Sequence, residues 1–452
     1  MSGSAEARTL AAVRRHATAQ VPRYTSYPTA AEFAPLPGSE EHRRWLGALD
    51  GREPISLYLH VPYCRDICLY CGCHTKKTNR DDTVEGYRLA LEAEIRLVGR
   101  QLGGRIPVAR LHWGGGTPSI LGGDGLAAVI AVLKQHFDFA PGFEHAIELD
   151  PRYVTPTLAE ALVRLGVNRA SLGVQDVNPV VQAAIGRLQP LSMVEGAVTA
   201  LRAAGITALN FDLIYGLPLQ TEESLRRTCA TVDSLGPDRI AYYGYAHLPE
   251  RKANQRRIDA ATLPDADARF AQAAIIAAEF TARGYVQVGI DHFARPQDPL
   301  AVAAAEGRLH RNFQGYTDDD RSILVGFGAS SISEFPGGYV QNMVDVPGYV
   351  RTVQAGTMPS ARGCRIDAED RVRARIIEAL LCQFRADLGA LAPALDVSEE
   401  MALLQPLVDE GIATVEGQVV AVTPAGRTVA RVVAAVFDTY LRHRTGRFSV
   451  AV

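Results

Sequence analysis

The sequence predicts an α/β fold: a partial or near-closed parallel (β/α)6-type barrel with an N-terminal covering segment and a mainly α C-terminal domain. Three observations carry this expectation. From residue 55 onward, short β-rich runs alternate with longer amphipathic stretches of helical period. Successive β-rich runs end in polar or glycine-rich residues, at the positions where α/β folds collect their chemistry. Beyond about residue 295 the alternation fades, and helical patterning returns from residue 367.

In chain order, strands are expected at 55–61, 109–113, 145–149, 169–174, 208–214 and 239–245, with 286–290 a candidate seventh. Helices are expected between them at 84–102, 126–137, 158–165, 193–204, 222–235 and 267–284. The first strand leads into a cysteine-rich loop, the second into Gly114-Gly115-Gly116-Thr117-Pro118, and the third into Glu148 and Asp150. The fourth ends at Gln175 and Asp176, the fifth at Asp212 and Tyr215-Gly216, the sixth at Ala246-His247. Successive strand ends of this kind describe one shared pocket. The chain therefore divides into a covering segment (1–50), a barrel core (51–295), a connecting segment that completes the site (296–366) and a mainly helical domain (367–452). In the last, helices at 371–384 and 399–411, a hairpin-like stretch at 413–422 and a helix at 428–442 suit a winged-helix-like module. It lacks a strongly basic face, so a packing or lid role is expected and nucleic acid is not.

Composition narrows the class. The 452 residues carry a net charge of −3, which indicates no polyanion-binding surface. Apolar runs such as 126–133 fall far short of the ~20 residues that cross a bilayer. The first twenty residues contain Glu6, Arg8, Arg14 and Arg15 and no long apolar stretch, so no secretory signal is read there. A soluble, cytoplasmic protein without membrane insertion is expected.

Four of the seven cysteines, Cys64, Cys68, Cys71 and Cys73, lie within ten residues. A chain this long needs no cross-links to fold, and an odd number of thiols cannot all pair. Structural zinc usually draws on two separated ligand pairs, whereas three cysteines at x3 and x2 spacing on one loop suit a 4Fe-4S cluster. Three ligands leave one iron open to a small molecule. Cys73 could be a fourth ligand, a replacement ligand or a pocket-facing thiol, and its closeness to Cys71 favours the last. The glycine run can present backbone N–H groups to a carboxylate or phosphate. Glu148 and Asp150, in a ring with Asp212 and Gln175, are candidates for ribose hydroxyls and an amino group, and Arg187 for a carboxylate. Arg23, His292, Arg295, His310 and Arg311 are candidates for anionic groups of a substrate.

Cys64-x3-Cys68-x2-Cys71, with Tyr70 before the last ligand, resembles the signature of radical S-adenosylmethionine enzymes. The Cys71-Gly-Cys73 extension, Pro22-Arg-Tyr-Thr-Ser-Tyr-Pro28, Leu111-His-Trp-Gly-Gly-Gly-Thr-Pro118 and Gly173-Val-Gln-Asp176 narrow the resemblance. So do Asp212-Leu-Ile-Tyr-Gly-Leu-Pro218, Tyr245-Ala-His-Leu-Pro249, Asp291-His-Phe-Ala-Arg-Pro296 and His310-Arg-Asn-Phe-Gln-Gly-Tyr-Thr317. Together they resemble the oxygen-independent coproporphyrinogen III oxidases, or coproporphyrinogen dehydrogenases, over nearly the whole chain. The resemblance implies a radical SAM core that converts two propionates of coproporphyrinogen III to vinyl groups, giving protoporphyrinogen IX. It implies a 4Fe-4S cluster on Cys64, Cys68 and Cys71 and two molecules of S-adenosyl-L-methionine. Tyr58, Tyr70, Gly115 and Glu148 would surround the first; Gly116, Thr117, Gln175, Arg187, Asp212, Ala246 and Ile332 the second, with Cys73 near the site. A reducing donor such as flavodoxin, a terminal electron acceptor that the sequence does not name, and a monomeric state are further implications. A haem chaperone and a radical SAM methyltransferase on the same scaffold are the alternatives. Such chaperone relatives keep the three cysteines but lack the Cys73 position and the 310–317 run.

Overall fold

The computed structural model describes residues 2–36 and 38–442. Its centre is a mixed sheet of 13 strands. Six consecutive parallel strands form the middle: β1 (Ile55–Val61), β2 (Ile106–Gly115), β3 (Phe137–Leu149), β4 (Arg169–Gln175), β5 (Ala208–Tyr215) and β6 (Arg239–Gly244). Helices Asp81–Gly99, Gly122–His136, Pro156–Arg164, Leu191–Ala204 and Glu222–Ser234 lie in the crossovers, close to the expected spans. Several begin where a side chain satisfies an otherwise orphaned N–H: Thr155 accepts from Leu158, and Thr221 and Ser224 form a reciprocal capping box.

Strand alternation decides which face does what. In β4 and β5 the residues Ala170, Leu172, Val174, Leu209, Phe211 and Leu213 are buried, each 1% exposed or less. They are the apolar half of a period-two pattern, each worth about 1.5–3 kcal/mol when fully buried. The other half, Arg169, Ser171, Gly173, Gln175, Asn210 and Asp212, faces a cavity. A sheet that packs helices on one face and lines a pocket with the other needs this alternation. Doubly covered parallel strands would instead be apolar throughout.

The sheet does not close into a barrel. At one end, Leu324–Phe327 adds a seventh parallel strand beside β1, followed by antiparallel Ile332–Phe335, Gly338–Asn342, Ser360–Arg365 and Ala34–Pro35. At the other, the stretch expected as a seventh strand at 286–290 is shorter and antiparallel. Val286–Val288 pairs with His292–Ala294, which pairs with β6, because the chain turns back at Gly289 (φ +59°). Partly buried ion pairs form one wall of the space within: Arg110 with Glu144 (3.1 Å) and Asp318 (2.9 Å), Arg169 with Glu144 (3.0 Å), and the more deeply buried Arg239 with Asp298 (2.6 Å).

The C-terminal helices Ala368–Cys382 and Ser398–Asp409 are followed by the hairpin Ala413–Glu416 and Val419–Val422. Arg385–Asp387 makes this a three-stranded sheet. The final helix expected at 428–442 is broken into Pro424–Val429, Ala430–Ala435 and Thr439–Arg442. The N-terminal segment clips this region in place: Tyr24 Oη donates to Asp438 (3.0 Å), and Tyr27 Oη meets Thr439 Oγ1 (3.1 Å). Residues 443–452 of the expected C-terminal domain lie outside the described residues. Among the described residues no helix is long and apolar enough to cross a membrane.

Candidate active site

Just beyond β1, Tyr63–Cys64 pairs in parallel with Lys76–Lys77, which closes the cysteine loop at its base. Its top is held from the far side of the sheet. Asn254 Nδ2 donates to the carbonyls of Cys68 (3.1 Å), Leu69 (3.0 Å) and Cys71 (2.9 Å), and Gln255 Nε2 to that of Tyr70 (2.8 Å). The sulfurs sit among donors: Thr75 and Thr117 hydroxyls lie 3.3 and 3.4 Å from Cys64 Sγ, and Arg187 Nη1 lies 3.4 Å from Cys68 Sγ. The two hydroxyls favour the Cys64 thiolate, but burial outweighs them and leaves that thiol raised. Among the described residues no three His, Cys, Asp or Glu side chains converge on a position for a single metal ion. A cubane instead takes one thiolate at each of several irons, and the three cysteines on one tethered loop fit that demand. Cys73 is accessible, and a hydrogen bond from it pulls the Cys71 thiol down to about 6 while pushing its own up.

The glycine loop is stitched to the cysteine loop, Gly116 N donating to Val61 O and Thr117 N to Tyr63 O, both 2.8 Å. Gly115 has φ +109°, and a Cβ there would meet the His60 ring at 2.5 Å, so the position admits only glycine. Its N–H donates to Glu148 Oε2 (3.1 Å), whose other oxygen meets His112 Nε2 (3.2 Å).

Cysteine loop, glycine loop and the polar faces of β3 to β6 enclose one cavity of about 800 Å³. Cys64, Cys68, Cys71, Cys73, Tyr70, Gly115, Gly116, Thr117, Glu148, Gln175, Arg187, Asp212, Ala246, Arg23 and His292 all line it. Gln175 sits there at φ +68° beside a bulge between Gly173 and Gln175, a strained backbone of the sort concentrated at working sites. Arg187, 6% exposed, donates to Gly173 O (2.7 Å) and pairs with Asp150 (3.2 Å). Burial alone would raise Asp150, but the Arg152 and Arg187 guanidiniums hold it below the usual carboxylate range.

Asp212 behaves oppositely. Burial pushes it up to about 6 despite hydrogen bonds from Ser171 (2.6 Å) and Asn210 (2.9 Å), and the Glu148 charge adds to the push. Below about pH 4 the group is protonated whether folded or unfolded. Between there and pH 6 the folded form keeps a proton that the unfolded chain loses, so stability falls as pH rises. Asp212→Asn mimics the protonated form. It is expected to stabilise the ligand-free protein at pH 8 by up to ~3 kcal/mol and to leave it unchanged at pH 4. Denaturant unfolding at the two pH values reads this directly; a uniform effect at both would contradict it.

Five expected residues stand outside this cavity's lining. Tyr58 lies behind it, its hydroxyl on His60 Nδ1 (3.1 Å) and its ring stacked on His112. Ile332 belongs to the antiparallel extension beyond β1. His310 is tied to Glu378 (3.2 Å), whose hydrogen bond raises its pKa. Arg311 faces a neighbouring cavity. Arg295 is turned to the helix side, donating to Asp233 (2.9 Å) with its guanidinium 3.9 Å from the Tyr285 ring centroid.

Residues 58–232 match the radical SAM superfamily. An oxygen-independent coproporphyrinogen III oxidase from Bradyrhizobium diazoefficiens is 46% identical over 427 residues, spanning 93% of this chain and 95% of its own. The chain belongs to the oxygen-independent coproporphyrinogen III oxidases. An oxidase of this family from Escherichia coli is 39% identical over 429 residues, spanning 94% of this chain and 93% of its own. The solved coproporphyrinogen III oxidase from Escherichia coli, described as a radical SAM enzyme, superimposes with a TM-score of 0.88. That match has 37% identity and covers 93% of this chain and 100% of the other. Radical SAM membership implies a 4Fe-4S cluster and S-adenosylmethionine as the oxidase's cofactors.

Sequence reading missed Asn254 and Gln255, whose amides carry the cysteine loop of this oxidase, and Tyr243, which lines the cavity and meets His292 (3.3 Å). Asn254 and Gln255 lie in a short 3-10 turn, Ala253–Arg257, where no periodicity marks them. Tyr243 falls on the cavity-facing alternate of β6, which was the available signal.

Proposed function

We propose that this oxidase converts coproporphyrinogen III to protoporphyrinogen IX without oxygen, turning two propionates into vinyl groups. The observation that carries the reading is the meeting of three cysteines, the glycine loop and the acids of β3 and β5 on one cavity, in a chain that matches its relatives nearly end to end. Cluster and S-adenosylmethionine, when bound, would supply a reducing electron and a 5′-deoxyadenosyl group able to take a hydrogen atom from the propionate β-carbon. Conversion of each propionate to a vinyl group would remove one hydrogen atom, one carbon dioxide and one electron, the last passing to an acceptor.

The protein's own part is to bind, orient and shield. In this reading Cys64, Cys68 and Cys71 hold the cluster, and Cys73 stays a thiol beside it. Tyr58, Tyr70, Gly115 and Glu148 serve a first S-adenosylmethionine, with Tyr58 acting from behind Glu148 and Cys73. A second lies toward Gly116, Thr117, Gln175, Arg187, Asp212 and Ala246, with Ile332 the outlying member of that set. The carboxylates suit ribose hydroxyls and ammonium, the guanidinium a carboxylate, and the glycines close backbone approach. The segment 1–50 and the domain from 367 cover the cavity's open side, which excludes water from a reactive carbon radical. The residues between 296 and 366 complete the site. The enzyme works as a cytoplasmic monomer with a flavodoxin-like donor.

Anaerobic reconstitution with iron and sulfide, then coproporphyrinogen III, dithionite and S-adenosylmethionine, tests this. Protoporphyrinogen IX is the expected product. S-adenosylmethionine cleavage without vinyl product, stoichiometric haem binding without turnover, or methyl transfer from labelled S-adenosylmethionine would each overturn it.

A further inference from the structure

The cysteine loop has an outer side as well as an inner one. On it an open groove of about 640 Å³ runs between the loop, the turn after helix Pro179–Ala184 and the 3-10 turn Ala253–Arg257. Asp66 and Ile67 line both this groove and the inner cavity. The loop that carries the three cysteines is therefore the partition between them.

The groove is held rigid from beneath. Leu69 N donates to Ile185 O (2.9 Å), and Asn254, which lines the groove, anchors the carbonyls of Cys68, Leu69 and Cys71. Gly186 has φ +63°, and a Cβ there would meet Leu69 Cγ at 2.9 Å, so turn and loop are packed face to face. Surfaces fixed in this way change little when a partner docks.

Its chemistry suits a protein partner. Leu188, in the groove, and Val180, on the helix leading into it, are the two most exposed large apolar side chains among the described residues, at 65% and 58%. Apolar side chains grouped on a surface mark interaction sites. The charge beside them is one-sided. Asp66 is the acid in the lining, and Lys77 already pairs with it at 2.8 Å. Arg152 and the buried Arg187 share Asp150, at 2.7 and 3.2 Å, so that group carries more positive charge than negative. Arg257 adds an exposed guanidinium to the lining. In a chain of net charge −3, this is a locally positive rim around an apolar contact.

We propose that this groove docks the electron donor, a small acidic carrier protein of the flavodoxin kind, with Leu188 and Val180 as the apolar contact and Arg152 and Arg257 facing its acids. The inference rests on the proposed function, which needs one electron for each S-adenosylmethionine cleaved. The reduced carrier loses that electron, the cluster site gains it, and no bond forms or breaks at the groove. Electron transfer weakens steeply with distance, and here the partition is the cysteine loop itself. Delivery from the outer side also leaves the inner cavity closed to water and free for the substrate.

The test measures binding of oxidised, acidic flavodoxin to the cluster-loaded enzyme by biolayer interferometry, and compares turnover driven by flavodoxin hydroquinone with turnover driven by dithionite. Affinity is expected to fall about 10-fold as ionic strength rises from roughly 0.05 to 0.5 M. Arg257→Glu and Leu188→Asp are each expected to weaken binding about 10-fold and to slow flavodoxin-driven turnover at limiting carrier by a similar factor. Iron content and dithionite-driven turnover should stay at the wild-type level in both. Arg385→Glu, a charge reversal on the C-terminal sheet, should change none of these. A wild-type affinity indifferent to salt overturns the inference even if the variants fail to fold. So does an unchanged affinity in both groove variants, or an equal loss of turnover with either reductant. Groove-dependent flavodoxin binding by an enzyme that forms no vinyl product with either reductant would instead uphold the docking face while removing the proposed reaction.

Discussion

Cys71→Ser is expected to abolish cluster binding: iron and sulfide content after reconstitution falls to background, and vinyl formation falls with it. A serine hydroxyl does not ionise near neutral pH, so it does not stand in for the thiolate. Asn254 fixes the Cys71 carbonyl as well as those of Cys68 and Leu69, so the loop cannot slide to present a substitute. Cys73→Ser is the informative partner. Cys73 lines the cavity and hydrogen-bonds to Cys71, so its loss is expected to leave iron near wild type and to lower turnover about 10- to 100-fold. Equal iron loss in both variants would make Cys73 a ligand.

Arg187→Ala has the next largest expected effect. One guanidinium touches Cys68 Sγ, Asp150 and Gly173 O, tying the cysteine loop to the ends of β3 and β4. Removing one partner of a buried pair commonly costs about 3–5 kcal/mol. Arg152 still neutralises Asp150 here through a 2.7 Å contact, so a loss of about 1–3 kcal/mol is expected. S-adenosylmethionine use should fall more than stability, as a raised KM accompanied by lower kcat. Arg187→Lys restores the charge without the forked donor set and should recover only part. Unchanged S-adenosylmethionine kinetics in Arg187→Ala would refute the assignment.

What the sequence made legible was local and periodic. Alternation in β4 and β5 separated helix-facing Leu172 and Leu213 from cavity-facing Gln175 and Asp212. The same rule accounts for Arg295: just past the strand His292–Ala294 it follows the parity of Phe293, which packs on Phe280, so it points to the helices and away from His292's face. The strands from Leu324 to Asn342 were hidden because they are four or five residues long and separated by Gly328 and Gly337, which read as loops. Long-range pairing against β1 and within the extension overrides that signal. Least legible was the convergence of Arg23, Arg269, Arg311 and Arg431, drawn from four distant segments; no local pattern announces a cluster made by docking.

The most direct test of the central claim uses coproporphyrinogen III deuterated at the propionate β-carbons of the two reacting rings. Turned over anaerobically by the reconstituted enzyme, it is predicted to give one deuterated 5′-deoxyadenosine and one carbon dioxide for each vinyl group formed. Unlabelled 5′-deoxyadenosine, with all four propionates intact in the recovered porphyrin, would contradict it.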